Sequence, residues 1–464
     1  MIKKQNIHFI GIGGIGMSAI ADILNKQGFQ ISGSDINQNQ ITKQLEKKGI
    51  KIFKGHKAKN INEANIVVFS SAIDKSNVEI VSARKKKIRL YSRAMMLAEV
   101  MRLKSSITVA GSHGKTTTTS LVSTILESAG FDPTIINGGI INSLNANAKL
   151  GKGKWIVAEA DESDGTFMKL PSTIGAINNI DLEHLDFYSD INEIKRSFIE
   201  YANKIPFYGF LVINIDDKNV RDIKAKIKKK QIYTYGFSKK SNYYAQNLTI
   251  IKKSKSFYSK FEIVSNFEKK KTLKNVLIPL IGSHNILNTL CAYAIARGLS
   301  ISNTKILSAL KVFKGVKRRF SIIFNDQKNM IIDDYAHHPN EIDVTLNSLK
   351  SITRRKLITI FEPHRISRLK GLEKEFIKCF AKADVIFILP IYTAGEKIDL
   401  KYDYKFFSCL LKKKYKNKVI YPVKNNISFF EMLTEMIEYE DNIIFLGAGQ
   451  SSKIASEFSK YFAK

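Results

Sequence analysis

Ser105-Ser-Ile-Thr-Val-Ala-Gly111-Ser112-His113-Gly114-Lys115-Thr116-Thr117 is the stretch on which the reading of this 464-residue chain turns. Residues 105 to 110 are a short strand-forming run. A glycine turn follows, and then Leu121, Val122, Ile125 and Leu126 recur at a spacing that puts them on one face of a helix. Strand, glycine turn and helix make a phosphate-binding loop, shortened because two residues rather than four separate its glycines. The chemistry survives the shortening. Backbone amides wrap a β-phosphate, Lys115 neutralises β/γ oxygens, and the Thr116 hydroxyl is placed to ligate magnesium. Gly111, Ser112, His113, Gly114, Lys115, Thr116 and Thr117 are therefore the candidate site for ATP or GTP.

A second glycine turn lies near the N-terminus. Residues 6 to 10 read as a buried strand, Gly11-Ile-Gly13-Gly14-Ile15-Gly16 follows, and an apolar helical pattern then runs to Gly28. With Asp35 about 20 residues on, this meets the dinucleotide fingerprint, in which glycines admit a diphosphate to a helix N-terminus and the acid takes a ribose hydroxyl. NAD and a nucleotide sugar are equally compatible with that geometry. Strands at 30 to 33 and 65 to 70, the latter ending at Ser70-Ser71, and a helix around 93 to 101 complete a first α/β unit.

After the second loop, strands are expected at 155 to 158, 173 to 177, 210 to 215 and 231 to 236, with a helix from 191 to 205. Residues 242 to 280 alternate polar and apolar, as antiparallel strands on a sheet's flank do. Helices at 284 to 299 and 302 to 313 close this part. Beyond Gly315 strands at 329 to 333, 356 to 361, 385 to 389, 418 to 422 and 442 to 446 alternate with helices, a third doubly wound unit. The expected fold is α/β in three domains. These are a Rossmann-like one over 1–103, a central P-loop ATPase-type α/β domain with flanking antiparallel strands over 104–314, and a Rossmann-like one over 315–464.

Glu159-Ala-Asp161-Glu162-Ser163-Asp164 follows one central strand, and Asn178-Asn179-Ile-Asp181-Leu-Glu183-His184-Leu-Asp186 follows another. Both runs fall at the carboxyl end of strands beside the phosphate loop, where doubly wound sheets bind ligands, and carboxylates there suit magnesium.

Composition narrows the function. The hydrophobic fraction of 44% supports several cores, and Lys+Arg 74 against Asp+Glu 42 gives a formal charge of +32. The lysines are scattered or in short runs such as Lys228-Lys229-Lys230, so the charge reads as solvated surface and as a field for anionic small substrates rather than a nucleic-acid groove. Cys291, Cys379 and Cys409 stand far apart, which excludes a disulfide framework or a cysteine zinc site and points to a reducing, cytoplasmic setting. No run approaches the roughly 20 apolar residues of a membrane span, so no stable membrane association is expected.

Taken in order, these motifs resemble the Mur ligase family. Besides the two glycine loops and acidic runs, the match includes Gly282-Ser-His284-Asn285-x-x-Asn288, Gly315-Val-Lys-Arg-Arg319-Phe, Asp333-Asp334-Tyr335-Ala-His337-His-Pro339, Phe361-Glu-Pro-His-Arg365-x-x-Arg368 and Tyr392-Thr-Ala-Gly-Glu396. It spans residue 8 to about 450. Ser112 stands where the family commonly has threonine, and Glu362 where it commonly has glutamine. The resemblance implies that Gly11, Gly13, Gly14, Ile15, Gly16, Asp35, Ser70 and Ser71 hold a UDP-sugar rather than NAD. It implies Thr116, Glu159 and His184 as ligands of magnesium, with manganese as the alternative ion, and Asn285, Asn288, Arg319 and Asp334 at ATP. Tyr335, His337, Arg365 and Arg368 fall on the amino-acid side, and Lys115, Glu159, His184, Arg365 and Arg368 carry the catalysis.

The activity implied is ATP-dependent ligation of L-alanine to UDP-N-acetylmuramate through an acyl phosphate, a step of peptidoglycan synthesis. A ligase joining a ready-made tripeptide to the same sugar nucleotide is the nearest alternative, and the first loop's Gly-Gly-x-Gly-Met form separates the two. An NAD-dependent dehydrogenase would explain the first loop but not the second.

Overall fold

The computed structural model describes residues 5–463 except 71, 164, 184–186, 229–230, 254–255, 268–270, 327, 398, 400 and 424–425. Its first sheet contains β1 (Asn6–Ile10), β2 (Gln30–Asp35), β3 (Lys51–Lys54), β4 (Ile66–Phe69) and β5 (Arg89–Ser92), in the order β3-β2-β1-β4-β5. Every pairing is parallel. The order reverses between β1 and β4, so the first glycine loop and Ser70 emerge side by side at the switch point, where a crevice opens beyond the strand ends.

The second sheet contains β6 (Ser105–Ala110), β7 (Thr134–Ile141), β8 (Ala146–Lys149), β9 (Trp155–Ala160), β10 (Ile174–Ile177), β11 (Phe210–Asn214), β12 (Gln231–Gly236), β13 (Tyr243–Lys253), β14 (Ser256–Ser265) and β15 (Lys271–Ile278). Their order is β15-β14-β13-β12-β11-β10-β6-β9-β7-β8. β6 lies between β9 and β10, both parallel to it, so the phosphate loop and both acidic runs leave the sheet at one edge. β7 and β8 form an antiparallel pair at one margin, irregular between Ile136 and Ile141. β13 joins β12 through a short parallel pairing, Tyr235 with Tyr243 and Gly236 with Tyr244, so the flank anticipated as antiparallel is entered by a parallel step.

The third sheet contains β16 (Ser321–Asn325), β17 (Met330–Asp334), β18 (Leu357–Phe361), β19 (Val385–Ile388), β20 (Val419–Pro422) and β21 (Asn442–Leu446), in the order β16-β17-β21-β18-β19-β20. Only β16, at the edge, is antiparallel to its neighbour. Alternate residues of these strands serve two cores: Ile332, Ile444 and Leu446 face one, and Ile331, Ile443 and Phe445 the other. Apolar residues on both faces are what a parallel sheet covered on both sides requires.

The chain divides into two compact units, 1–248 with 260–277 and 287–314, and 249–259 with 278–286 and 315–464. In the first, both sheets share one core. Met17, Ile20 and Met101 from the β1–β5 region are buried in the same cluster as Ile136, Phe167 and Phe198. Among the described residues no helix is long and apolar enough to cross a membrane.

Close strand entry makes some glycines obligatory. A Cβ on Gly209, just before β11, would lie 1.9 Å from the Thr173 carbonyl oxygen ahead of β10. Backbone cannot swing aside as a side chain can, so Gly209→Ala should destabilise the first unit by about 3 kcal/mol. Thermal unfolding checks this, and an unchanged midpoint would contradict the tight β10–β11 entry.

Candidate active site

The phosphate loop is shaped by two left-handed glycines, Gly111 (φ 136°) and Gly114 (φ 78°). A side chain at Gly114 would meet Asn288 Oδ1 at 2.5 Å, and one at Gly111 would press on Asn178 and Asn179 at 3.1 Å. The loop is pinned from the β10 side. The His113 amide donates to Asn179 Oδ1 at 2.7 Å and the Ser112 amide to the Asn179 carbonyl at 3.2 Å. The Ser112 hydroxyl accepts from the Asp181 amide at 2.8 Å, so serine serves here where the family commonly carries threonine. Thr118 of the following helix, Lys115–Ser128, donates to Asn288 at 3.1 Å.

Lys115 does not reach into solvent. Its ammonium donates to the Gly111 carbonyl at 2.6 Å and to both oxygens of Glu162 at 3.0 and 2.8 Å. Glu162 is 1% exposed. Burial works against the lysine's charge, but Glu162, Asp161 and Glu183 outweigh it and hold the ammonium well above its usual range. Asp161 pairs with Arg93 at 3.0 Å. Although burial opposes its ionisation, Lys115 and Arg93 hold its carboxyl well below the usual range. The outcome is a cation kept charged at the sheet edge at every physiological pH.

Glu159 stands at the end of β9, one strand from the loop, and accepts from the Gly138 amide at 2.6 Å. Thr116 is buried in the first turn of the loop's helix. His113 Nε2 lies 3.0 Å from Asp181 and its Nδ1 4.0 Å from Glu183. His184, Asp164 and Asp186 lie outside the described residues.

In the first loop Gly11 is left-handed (φ 78°), and its amide and that of Ile12 donate to the Ser34 carbonyl at 2.8 and 3.1 Å. Asp35 closes the loop from within: one oxygen accepts from the Gly13 amide at 2.8 Å, the other from Asn37 at 3.1 Å. The Ile15 carbonyl accepts from Asn147 of the central domain. Arg93 covers Gly16, where a Cβ would sit 2.9 Å from its Nη1. Arg93 thus touches the first loop and the acidic run of the second. Ser70 accepts from the Ala72 amide through its hydroxyl; Ser71 is outside the described residues.

The second unit gathers a separate cluster. Residues 315–320 contain three left-handed positions, Gly315, Arg318 and Phe320. This turn sets the Arg318 and Arg319 guanidiniums 4.8 and 5.2 Å from the Tyr335 ring. Asp334 holds the turn by accepting from the amides of Phe320 at 2.6 Å and Ala336 at 2.8 Å, and its burial raises its carboxyl to about 6. His337 Nδ1 lies 3.0 Å from the Tyr335 carbonyl, so Nδ1 carries the proton and Nε2 keeps its lone pair. Burial lowers this imidazole to about 3 against the pull of Glu341, with Arg368 adding to the fall, and the ring is neutral.

Arg368 Nη1 lies 3.3 Å from His364 Nδ1, so His364 accepts there, and its ring stacks on Tyr392. Arg365 immediately precedes the helix Ile366–Gly371, with φ 66°, and Arg368 lies within it. The Arg365 amide bonds the Tyr392 carbonyl at 2.9 Å, which turns the chain out of the helix line. Glu362 accepts from the amides of Gly449, Gln450 and Ser451 at the start of the last helix, Ser451–Phe462, where the helix dipole favours a carboxylate. Asn285 donates to the Ile281 carbonyl at 2.8 Å.

Several of these groups escape a sequence reading. Glu162 belongs to the acidic run, but its grip on Lys115 spans 47 residues, and the Arg93–Asp161 pair spans 68. Only a strand order placing β9 beside β6 reveals them.

Phosphate loop, acidic strand ends and three α/β sheets define an enzyme that activates a substrate with a nucleoside triphosphate. Family models match in series: the Mur ligase catalytic domain at 6–105, the Mur ligase middle domain at 109–296 and the Mur ligase glutamate ligase domain at 318–449. The chain belongs to the Mur ligase family. It is 44% identical to the UDP-N-acetylmuramate–L-alanine ligase of Pelagibacter ubique, over 97% of each chain. It is also 44% identical to the ligase of that name from Rickettsia bellii, over 99% of this chain and 98% of the other. The solved UDP-N-acetylmuramate–alanine ligase of Thermotoga maritima superposes with a TM-score of 0.82 at 28% identity, over 99% of each chain.

The Lys115–Glu162 clamp has a measurable consequence. Lys115→Ala leaves Glu162 buried without its cation and should cost about 3 kcal/mol of stability, beyond its effect on turnover. Adding Glu162→Gln should restore most of that loss. Calorimetry on both variants checks this, and equal midpoints for the single and double variants would contradict the clamp.

Proposed function

We infer that the chain joins L-alanine to the lactyl carboxylate of UDP-N-acetylmuramate at the expense of ATP, giving UDP-N-acetylmuramoyl-L-alanine, ADP and phosphate for cytoplasmic peptidoglycan precursor synthesis. The observation that carries this reading is the full-length likeness to ligases of that name, over a chain whose central loop holds a charged lysine beside a crowd of carboxylates.

The chemistry follows from charge. A carboxylate is a poor electrophile, so its oxygen attacks the γ-phosphorus of ATP, ADP leaves, and an acyl phosphate forms. Bringing carboxylate and phosphate to about 4 Å costs roughly 4 kcal/mol per pair of unit charges at an effective dielectric near 20. Lys115 offsets this by moving from Glu162 toward the β/γ oxygens, with the loop amides around the β-phosphate. The alanine amine then attacks the acyl carbon and phosphate departs. The ammonium loses a proton before it attacks, and neutral His337 presents Nε2 as a hydrogen-bond acceptor on the amino-acid side. Arg365 and Arg368 clamp the amino-acid carboxylate, a task for which planar guanidiniums are suited. Arg319 and Asp334 serve the ATP side with Asn285 and Asn288.

Magnesium, or manganese in its place, suits the donors at the central edge. The Thr116 hydroxyl and Glu159 carboxylate are hard oxygens on adjoining elements, and His184 is the third ligand proposed. When bound, the ion neutralises phosphate charge.

Phosphate release should require UDP-N-acetylmuramate and L-alanine together. Release driven equally well by the tripeptide would assign the chain to the sister activity, and release with neither acceptor would overturn the reading. In the same assay Arg368→Lys should raise the L-alanine KM about tenfold or more while ATP and sugar-nucleotide binding persist. Wild-type alanine kinetics would remove Arg368 from the amino-acid site.

A further inference from the structure

Beneath the first glycine loop lies a buried polar cluster that the ligation chemistry does not use. Glu79, in the first turn of the helix Val78–Lys85, is fully buried and takes hydrogen bonds from every side. One oxygen accepts from the Asn60 amide at 2.6 Å and from the Lys57 backbone at 3.1 Å. The other accepts from the Ser34 hydroxyl at 2.6 Å and is faced by His56 Nδ1 at 3.5 Å and His8 Nε2 at 3.6 Å. Since Ser34 spends its one proton on Glu79, the 2.9 Å contact between Ser34 Oγ and His56 Nδ1 is a donation from the imidazole. His8 Nδ1 in turn lies 2.9 Å from Ser32 Oγ.

Ser34 connects this cluster to the loop. Its carbonyl receives the Gly11 and Ile12 amides, the bonds that bend the chain out of β1. A side chain fixed on Glu79 and a backbone that anchors the loop belong to one residue. We propose that Glu79 is a positioning residue for the sugar nucleotide: by orienting Ser34, and with His56 behind it, Glu79 holds the Gly11–Gly16 loop in the shape that receives a diphosphate. The proposal rests on the reading that this loop binds UDP-N-acetylmuramate.

The sign of the effect separates positioning from simple charge. Removing a negative charge near an anion site would by itself favour an anionic ligand, whereas loosening the loop weakens binding. Glu79→Gln should therefore raise the UDP-N-acetylmuramate KM about tenfold, with kcat and the ATP KM within about twofold of wild type. Ser34→Ala should do the same, and the two changes combined should cost no more than the larger alone, because they break one connection. Glu79→Asp, which keeps the charge on a shorter stem, should show an intermediate KM. An unchanged or lowered KM in Glu79→Gln, or additive effects in the double variant, would overturn the proposal. A fall in kcat and in affinity for both nucleotides together would mean a general packing role and would also overturn it. Wild-type enzyme indifferent to UDP-N-acetylmuramate would instead refute the reading of the first loop, so the two failures are distinguishable.

Discussion

A lysine that must stay charged while half-buried is the constraint around which the central sheet edge is organised. Lys115 sits at the start of a helix, where the dipole and burial both disfavour a cation, and nearby carboxylates more than offset them. Glu162 and Asp161 supply that charge, and β9 has to lie against β6 for them to reach. The strand order, the closeness of the acidic run to the phosphate loop and the charge of the ammonium are thus one requirement seen three ways. Arg93 extends it to the first loop by pairing with Asp161 while lying over Gly16.

The second unit solves a different problem. It sets neutral imidazoles and guanidiniums among the carboxylates of Asp334, Glu341 and Glu362, and left-handed backbone helps to fix their positions. Left-handed residues at Arg318, Phe320 and Arg365 each cost about 1 kcal/mol or more, and the surrounding bonds from Asp334 and Tyr392 retain them. Such strain is spent on aiming: two arginines at the Tyr335 ring, and Arg365 turned out of the helix that Arg368 occupies.

Much of this was legible before any coordinates, for local reasons. Strand, glycine turn and helix are adjacent in sequence, so Gly11–Gly16 and Gly111–Thr117 announce themselves, and β1, β6 and β10 fall within a residue or so of where alternation and turns put them. What stayed hidden depends on long-range pairing. The Lys115–Glu162 grip, the Arg93 bridge and the Glu79 cluster join residues that no spacing rule connects. The contacts that Asp35 makes with the Gly13 and Asn37 amides, a local closure of the loop, also had no signature beyond the spacing of the acid. The left-handed turn at Arg365 was likewise hidden, because the bond of its amide to the Tyr392 carbonyl joins separate strand connections.

In the proposed reaction the sugar-nucleotide carboxylate takes the γ-phosphoryl group before the amine attacks. UDP-N-acetylmuramate labelled with heavy oxygen in its lactyl carboxylate tests this directly, read by mass spectrometry of the phosphate released on ligation. Transfer of one labelled oxygen per turnover into inorganic phosphate is the predicted result. Unlabelled phosphate, formed while ligation proceeds, would contradict it.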